Sequence, residues 1–293
     1  MVVIDLTEVT SGFCDRLRVV TLGIALAQWR KTHLLHIIER PTQTCPYAFD
    51  EVCRVEGFEV TLGKIDKAPD ISTTAHDLFP SDLNDVRRQK PPEVTLSDVE
   101  FRELWLDSYR LLRPAPSLIP SLDALALEPD CVGLHLRYTD RIAWLGSAYW
   151  LGQWPPWQMP WVERNALRLV QQFRPRQIYL ASDEPLPKAR WTQRLQSLGY
   201  QVVSHPASFS SQSLRQTNAH DFGVDLFALA RCQAAVGLHR SGLINVADWS
   251  NGKREPFLIA SESMTGWGRF NRLLYRALQP LRLVWRALRH KMS

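Results

Sequence analysis

Short apolar segments alternate with longer segments of helical periodicity along this chain, and that alternation limits the folds it can adopt. The segment VVIDL at 2–6 precedes the helix-like VVTLGIALAQWRKT, and HLLHIIE follows. A second series begins with CVGLHLRY at 131–138 and continues with PWVERNALRLVQQFR and QIYLAS. Each crossover helix carries the chain back to the same end of a sheet, so neighbouring strands become parallel. We therefore predict an α/β protein built from two α/β units.

The chain is long enough, at 293 residues, for two domains of ordinary size. We predict a first α/β domain at 1–125, a second at 126–265, and a separate tail at 266–293. The proline-rich segment RPAPSLIP at 113–120 is predicted to connect the two domains.

Composition indicates a soluble globular protein, with 45% hydrophobic and 22% charged residues. No apolar run approaches the ~20 residues of a membrane-spanning helix, and the amino terminus lacks the basic start of a signal peptide. We expect a cytoplasmic protein. The five cysteines are scattered without a CxxC pair, so we expect free thiols and no metal site.

The basic charge is concentrated in the tail. Seven arginines and lysines, and no acidic residue, follow Glu262. The charge of this tail, +7, therefore exceeds the net charge of the whole chain, +5. Apolar residues including Trp285 recur along one side, and Pro280 divides the segment. Such a basic amphipathic helix suits an anionic membrane surface, which would make the protein peripheral on the inner membrane face. The alternative is a terminal helix packed on the body. We expect no nucleic-acid partner.

Polar residues follow three predicted strands of the second series: HLRYTDR at 135–141, SDEP at 182–185 and HRSG at 239–242. The carboxyl ends of parallel strands meet at one edge of a sheet, where open α/β folds bind ligands. Arginine side chains suit phosphate oxygens, and backbone N–H groups at a helix start bind anions. The joint placement predicts a phosphate or diphosphate site, although each residue alone could be a solvated charge or a helix cap.

The segment TSGFCDRLR at 10–18 follows the first strand in a similar way. Gly12 permits a tight backbone turn, and Asp15, Arg16 and Arg18 lie at the start of the next helix. The chain contains neither GxGxxG nor GxxxxGK[ST], so the sequence supports neither a Rossmann dinucleotide site nor a P-loop kinase.

Four motifs resemble those of the α1,6- and protein O-fucosyltransferase superfamily, which includes bacterial nodulation-factor enzymes. HLRYTDR resembles the family's HxRRTDK-type motif, and IYLASDEP resembles its (V/I)YLATDDP motif. DLFALARCQAAVGLHRSGLINVA resembles the third, in which a helix opening with Asp leads to a strand and Ser-Ser. SGFCDRLRVV is similar to the family's Gly-rich amino-terminal loop.

The resemblance implies a GT-B-like fold with two facing Rossmann-like domains, the first on the acceptor side and the second binding the nucleotide sugar. It implies inverting, metal-independent transfer of fucose from GDP-fucose to a glycan, with no cofactor. The membrane interpretation of the tail adds a lipid-linked glycan as an alternative acceptor. Arg137 would contact the β-phosphate, Ser241 would bind phosphate, and Asp225 would accept guanine N–H bonds. The donor-binding candidates are Gly12, Phe13, Arg16, His135, Arg137, Arg141, Ser182, Asp183, Asp225, Arg240, Ser241 and Gly242.

Two departures from the family motifs leave the chemistry open. Tyr138 stands where the family has a second arginine, and Arg240 replaces the first serine of Ser-Ser. Neither carboxylate that serves as base in family members is matched, so Asp15 and Asp140 both stay candidates alongside the catalytic Arg137. There are two alternatives to a fucosyltransferase. One is a transferase of the same fold that uses another nucleotide sugar, and the other is an inactive scaffold that binds a nucleotide sugar.

The segment WLGSAYWLGQWPPWQMPW at 144–161 is rich in tryptophan and directly follows the first motif. Indole faces can stack on sugar rings, so we predict that this segment contacts the acceptor. The alternative is a loop folded on its own aromatic residues. The acceptor-binding candidates are Trp144, Tyr149, Trp150 and Trp154.

Overall fold

The computed structural model describes residues 1–7, 9, 12–42, 45–63, 71–74, 90–138, 159–182, 184–206, 218–238, 241–252 and 257–260. In chain order the elements are β1 (Val2–Asp5), α1 (Phe13–Trp29), β2 (Leu34–Ile38), β3 (Cys53–Val55), β4 (Glu59–Leu62), β5 (Ile71–Thr74), α2 (Asp98–Tyr109), β6 (Leu112–Pro114), a 3-10 turn (Pro116–Leu118), α3 (Ile119–Ala124), β7 (Val132–Leu136), α4 (Met159–Gln172), β8 (Gln177–Ser182), α5 (Pro185–Ser197), β9 (Gln201–Val203), α6 (Ala219–Arg231), β10 (Ala234–Gly237), α7 (Gly242–Asn251) and β11 (Leu258–Ile259).

The chain forms two compact units, and each is assembled from three separate segments. The first unit comprises Met1–Leu127, His205–Arg231 and Gly242–Arg254. The second comprises Glu128–Ser204, Cys232–Ser241 and Glu255–Ser293. Helices α6 and α7 thus group with the amino-terminal segment, although they lie in the carboxyl-terminal half of the sequence. The acceptor-side and donor-side roles of the two halves stay predictions.

The first unit contains a parallel sheet with the strand order β4-β2-β1-β5. Helix α1 is buried along most of its length because it packs against this sheet and against α2 and α7. Its first residue, Phe13, contacts the rings of Tyr47, Phe49 and Phe222 at centroid distances of 5.5, 6.5 and 5.5 Å. This aromatic cluster joins α1 to α6 inside the unit.

Residues 113–120 are part of the first unit, and their prediction as a connection between domains is wrong. Strand β6 pairs antiparallel with β3, and the 3-10 turn and α3 follow it directly. Ala115 and Leu118 are buried, and the Ala115 N–H donates to the Val52 carbonyl over 3.0 Å. The prolines stand where a strand ends and helical turns begin, which are positions that tolerate the missing N–H.

The second unit contains a five-stranded parallel sheet with the order β11-β10-β7-β8-β9. Every residue of β7 and β8 is buried, as expected for central strands covered on both faces. Helix α4 contributes Val162, Ala166 and Val170 to the core, and α5 contributes Trp191.

The predicted parallel α/β organisation is confirmed in the described part of the chain. The helix predicted at 160–174 is α4 (Met159–Gln172), and the strand predicted at the first polar motif is β7. Among the described helices, none combines the length and the apolar character that crossing a membrane would need.

Candidate functional site

The carboxyl ends of β7, β8 and β10 lie next to each other. This confirms the prediction that the strands preceding the three polar motifs end at the same edge of one sheet. In the parallel register, His135 of β7 is opposite Gly237 of β10 and Ala181 of β8. Leu136 is opposite Ser182, the last residue of β8. The residues that follow these strands therefore leave the same edge of the sheet.

Two of the predicted donor-binding residues, His135 and Ser241, are in contact within the second unit. Ser241 Oγ lies 3.3 Å from His135 Nδ1, and both side chains are buried. The Leu238 N–H donates to the His135 carbonyl over 3.1 Å, which holds the end of β10 against β7. Arg137 lies two residues beyond His135 and is half-buried. This edge thus combines a serine hydroxyl, an imidazole and a guanidinium, which together can bind an anionic group.

Ser182 has a local structural role at the same edge. Its hydroxyl donates to the Glu184 carbonyl over 3.0 Å and accepts from the Glu184 N–H over 3.2 Å. These bonds form the turn between β8 and α5, whose first residue is Pro185. The serine hydroxyl is occupied by this turn, and its predicted contact with the donor stays a prediction.

Tyr138, which replaces the second arginine of the family motif, points into the second unit's interior. Its hydroxyl donates to Glu163 Oε1 over 2.8 Å and accepts from Trp191 Nε1 over 2.9 Å. Arg190 donates to the Tyr138 hydroxyl over 3.2 Å and also pairs with Glu163. Burial, together with the negative charge of Glu163, raises the pKa of Tyr138. The phenol therefore stays protonated and donates to the carboxylate.

This network of Tyr138, Glu163, Arg190 and Trp191 was not predicted from the sequence. It ties the residue after Arg137 to α4 and α5, so the backbone that carries the guanidinium is attached to two helices. A tyrosine held in this way cannot replace the second arginine as a phosphate ligand. The sequence offers one hint, because Glu163 lies on the side of α4 that is otherwise apolar and buried. This hint cannot be interpreted before its partner, Tyr138, is known.

Replacement of Tyr138 by phenylalanine should destabilise the protein by about 1–3 kcal/mol, because buried Glu163 and Trp191 each lose a hydrogen-bond partner. Equilibrium denaturant unfolding measures this change. Tyr200→Phe is the matched control, since Tyr200 is half-buried in the same unit and its hydroxyl makes none of these bonds. Equal effects of the two substitutions would contradict the assigned role of the network.

In the first unit, the amino-terminal loop leads directly into α1. The Gly12 carbonyl accepts from the N–H groups of Asp15 and Arg16 over 2.9 and 3.3 Å, which starts the helix. Arg16 is almost fully buried: its Nη2 donates to the Arg40 carbonyl over 2.6 Å, and its Nη1 lies 3.8 Å from Glu39. Burial raises the pKa of Glu39, and the hydrogen bond from the Phe49 N–H and the positive charge of Arg16 partly offset that effect.

The other described candidates of the first unit are Phe13, Asp15, Asp225 and Gly242. Phe13 belongs to the aromatic cluster, so its ring is in the hydrophobic core. Asp15 accepts from Arg18 over 3.1 Å and stays partly exposed, with 27% of its side-chain surface accessible, as a proton acceptor would have to be. Asp225 is buried within α6. Their predicted roles toward a donor stay predictions.

Gly242 has a packing role that the sequence did not reveal. A Cβ atom at this position would lie 2.6 Å from Cys14 Cβ and 3.2 Å from Cys14 Sγ. Because these atoms are close to the backbone of α1, they cannot move aside as a side-chain terminus would. The glycine therefore allows the start of α7 to pack directly against α1.

Replacement of Gly242 by alanine should destabilise the first unit by about 1–3 kcal/mol, because α7 must move away from α1. Thermal and denaturant unfolding measure the effect. Asn245→Ala, on the same helix and half-buried, should have a smaller effect. An unchanged free energy of unfolding in Gly242→Ala would show that packing does not require a glycine here.

Several predicted residues lie outside the described part of the chain, and their roles stay predictions. They are Asp140, Arg141, Asp183 and Arg240 of the three motifs, Trp144, Tyr149, Trp150 and Trp154 of the aromatic segment, and the tail at 266–293.

Comparison of the whole chain with known proteins found similarity in structure only. No family model and no curated protein sequence matches it. A NodZ α1,6-fucosyltransferase soaked with GDP-fucose is 16% identical, with a TM-score of 0.51 over 85% of this chain and 91% of that chain. NodZ from Bradyrhizobium is 15% identical, with a TM-score of 0.51 over 84% and 92%. POFUT1 in complex with GDP is 12% identical, with a TM-score of 0.51 over 88% and 98%. The chain therefore has the α/β fold of these fucosyltransferases.

Proposed function

We propose that this protein is a glycosyltransferase that transfers fucose from GDP-fucose to a glycan acceptor. The observation that carries the proposal is the buried contact between Ser241 and His135, beside Arg137, at the carboxyl edge of a parallel sheet. The same three positions matched the family motifs in the sequence. The similarity in fold to a fucosyltransferase soaked with GDP-fucose and to POFUT1 in complex with GDP supports the proposal.

In this proposal the two units are the two domains of a GT-B arrangement, and the edge formed by β7, β8 and β10 binds the diphosphate. Arg137 and Ser241 contact phosphate oxygens, while His135 and Asp225 lie near the nucleotide. A guanidinium is always charged and presents several N–H donors. It can therefore neutralise the diphosphate without a divalent metal, so we propose that transfer itself is metal-independent and needs no cofactor.

The proposed reaction is a single displacement that inverts the anomeric carbon. The acceptor hydroxyl oxygen forms a bond to C1 of fucose, and the bond from C1 to the β-phosphate oxygen breaks. The electron pair of that bond leaves with GDP, where Arg137 stabilises the developing negative charge. The hydroxyl proton passes to a carboxylate, for which Asp15 and Asp140 stay the two candidates.

Two other functions fit the same residues. A serine and an arginine bind any diphosphate, so another nucleotide sugar would fit the same groups. A scaffold that binds the donor without catalysis is favoured by one observation, namely that Tyr138 is engaged in a buried network where the family has a second arginine. Such a protein would bind GDP but would neither transfer fucose nor hydrolyse GDP-fucose.

Calorimetry should detect GDP binding that Arg137→Ala weakens by roughly 10- to 100-fold, the loss expected for hydrogen bonds to a charged group. UDP and ADP should bind more weakly than GDP. Arg176→Ala is the matched control, because Arg176 is an exposed arginine of the same unit whose ion pairs are with Glu128 and Asp130.

Absent GDP binding, or equal binding of GDP, UDP and ADP, would overturn the fucosyltransferase proposal. If GDP binds, an assay of fucose transfer and GDP-fucose hydrolysis separates the enzyme from the scaffold. Turnover that Arg137→Ala abolishes supports the enzyme, and binding without any turnover supports the scaffold.

We also propose that the basic tail holds the protein at the inner face of a cytoplasmic membrane, where lipid-linked glycans are assembled. The full chain should therefore sediment with vesicles that contain anionic lipid and should stay in solution with neutral vesicles. Salt should release it, because the attraction is electrostatic. A chain that ends at residue 265 is the control, and equal sedimentation of the two chains would contradict the role of the tail.

A further inference from the structure

Three potential metal ligands, His205, His220 and Asp221, lie together in the first unit, and none of them is among the residues predicted to bind the donor. His205 Nε2 is 2.8 Å from Asp221 Oδ1, and His220 Nδ1 is 3.6 Å from the same oxygen. One ligand atom from each side chain lies within 4.8 Å of the other two. In the described part of the chain, this is the one such group of histidine, cysteine or acidic residues.

The side chains of His205 and Asp221 are buried, with 10% and 6% of their surfaces accessible. A hydrogen bond between them would account for this pair. It does not account for His220, which has 41% of its side chain exposed and could turn Nδ1 toward water. Instead Nδ1 faces the carboxylate that His205 already contacts.

The other nitrogen of His220 supplies an independent reason to consider a metal. His220 Nε2 lies 3.2 Å from Ser121 Oγ on α3. If Nε2–H donates to this hydroxyl, the proton is on Nε2 and the lone pair is on Nδ1. Metal-bound histidines are oriented in this way, with the second ring nitrogen donating to a nearby acceptor.

We infer that His205, His220 and Asp221 bind a divalent transition-metal ion of the zinc class. Two imidazole nitrogens and one carboxylate oxygen are ligands typical of zinc, whereas magnesium and calcium prefer oxygen ligands alone. Ligands about 2.1 Å from a tetrahedral ion are about 3.4 Å apart, so His205 and Asp221 would separate by about half an ångström. The exposed side of His220 leaves the fourth position to water.

The inferred ion is structural, and the inference does not rest on the proposed transferase function. Its ligands come from both ends of the segment at 206–219: His205 follows β9, and His220 and Asp221 form the first turn of α6. Asn218 caps this turn by accepting from the Asp221 N–H over 2.8 Å. A bound ion would hold the start of α6 to the chain before it, and Asp225 lies one turn further along that helix.

The sequence alone did not suggest this site, and we expected no metal from it. The segment at 206–219, which separates His205 from the other two ligands, contains neither cysteine nor histidine. The sequence therefore shows no spacing typical of a metal site. Only the fold brings the end of the β9 strand to the first turn of α6.

The test is calorimetric titration of the full chain, without a histidine tag and after removal of metals by a chelator, with zinc chloride. One zinc ion should bind per chain, and magnesium chloride should give no binding. His220→Ala should weaken zinc binding at least tenfold, and Ser121→Ala should weaken it by about 10- to 100-fold if the serine orients the ring. His33→Ala, which removes an exposed histidine of the same unit, should leave binding unchanged.

The melting temperatures of the metal-free proteins show whether a loss of zinc binding in His220→Ala is caused by misfolding. His220 is partly exposed, so His220→Ala should fold, and its melting temperature without zinc should match that of the wild type. Zinc should raise the melting temperature of the wild type and not that of His220→Ala. No stoichiometric zinc binding, or equal binding by wild type and His220→Ala, would overturn the inference. GDP binding measured on the same metal-free protein tests the transferase proposal separately.

Discussion

The parallel hydrogen bonding of β7 between β8 and β10 is the constraint on which the candidate site depends. Because all three strands run in one direction, His135, Ser182 and the residues after Gly237 reach the same edge, although more than 100 residues separate the first from the last. The strands are buried on both faces, so β7 tolerates a polar side chain only where a partner exists. His135 meets this condition through Ser241.

The residue after Arg137 illustrates how a changed motif can keep a structural purpose. A second arginine there would need its own anionic partner, whereas Tyr138 uses its hydroxyl to join a carboxylate and an indole inside the unit. Glu163, which would otherwise be a costly buried charge, is compensated by Arg190 and Arg194 as well as by the phenol. The tyrosine thus orders the backbone beside Arg137 without adding charge to the site.

Features encoded locally were accessible from the sequence, and features that depend on distant partners were not. Buried strands such as VGLHL and helices such as α4 have patterns that can be read within one segment. The convergence of the strand ends followed from the parallel arrangement. The assignment of α6 and α7 to the first unit could not be predicted from the strand order, because it depends on contacts such as that of Phe222 with Phe13. The packing role of Gly242 against Cys14 was hidden for the same reason.

The segmental composition of the two units has a consequence for how such a chain can be recombined. The polypeptide passes from one unit to the other five times, because each unit collects three separate segments. A chimera joined at a single point near Leu127 would pair Phe13 and Cys14 of one parent with Phe222 and Gly242 of the other. Parents that differ at these positions would yield a mismatched core in the first unit. Exchange of a complete unit requires all of its segments to be inherited together, which makes the two halves of this gene a poor source of interchangeable modules.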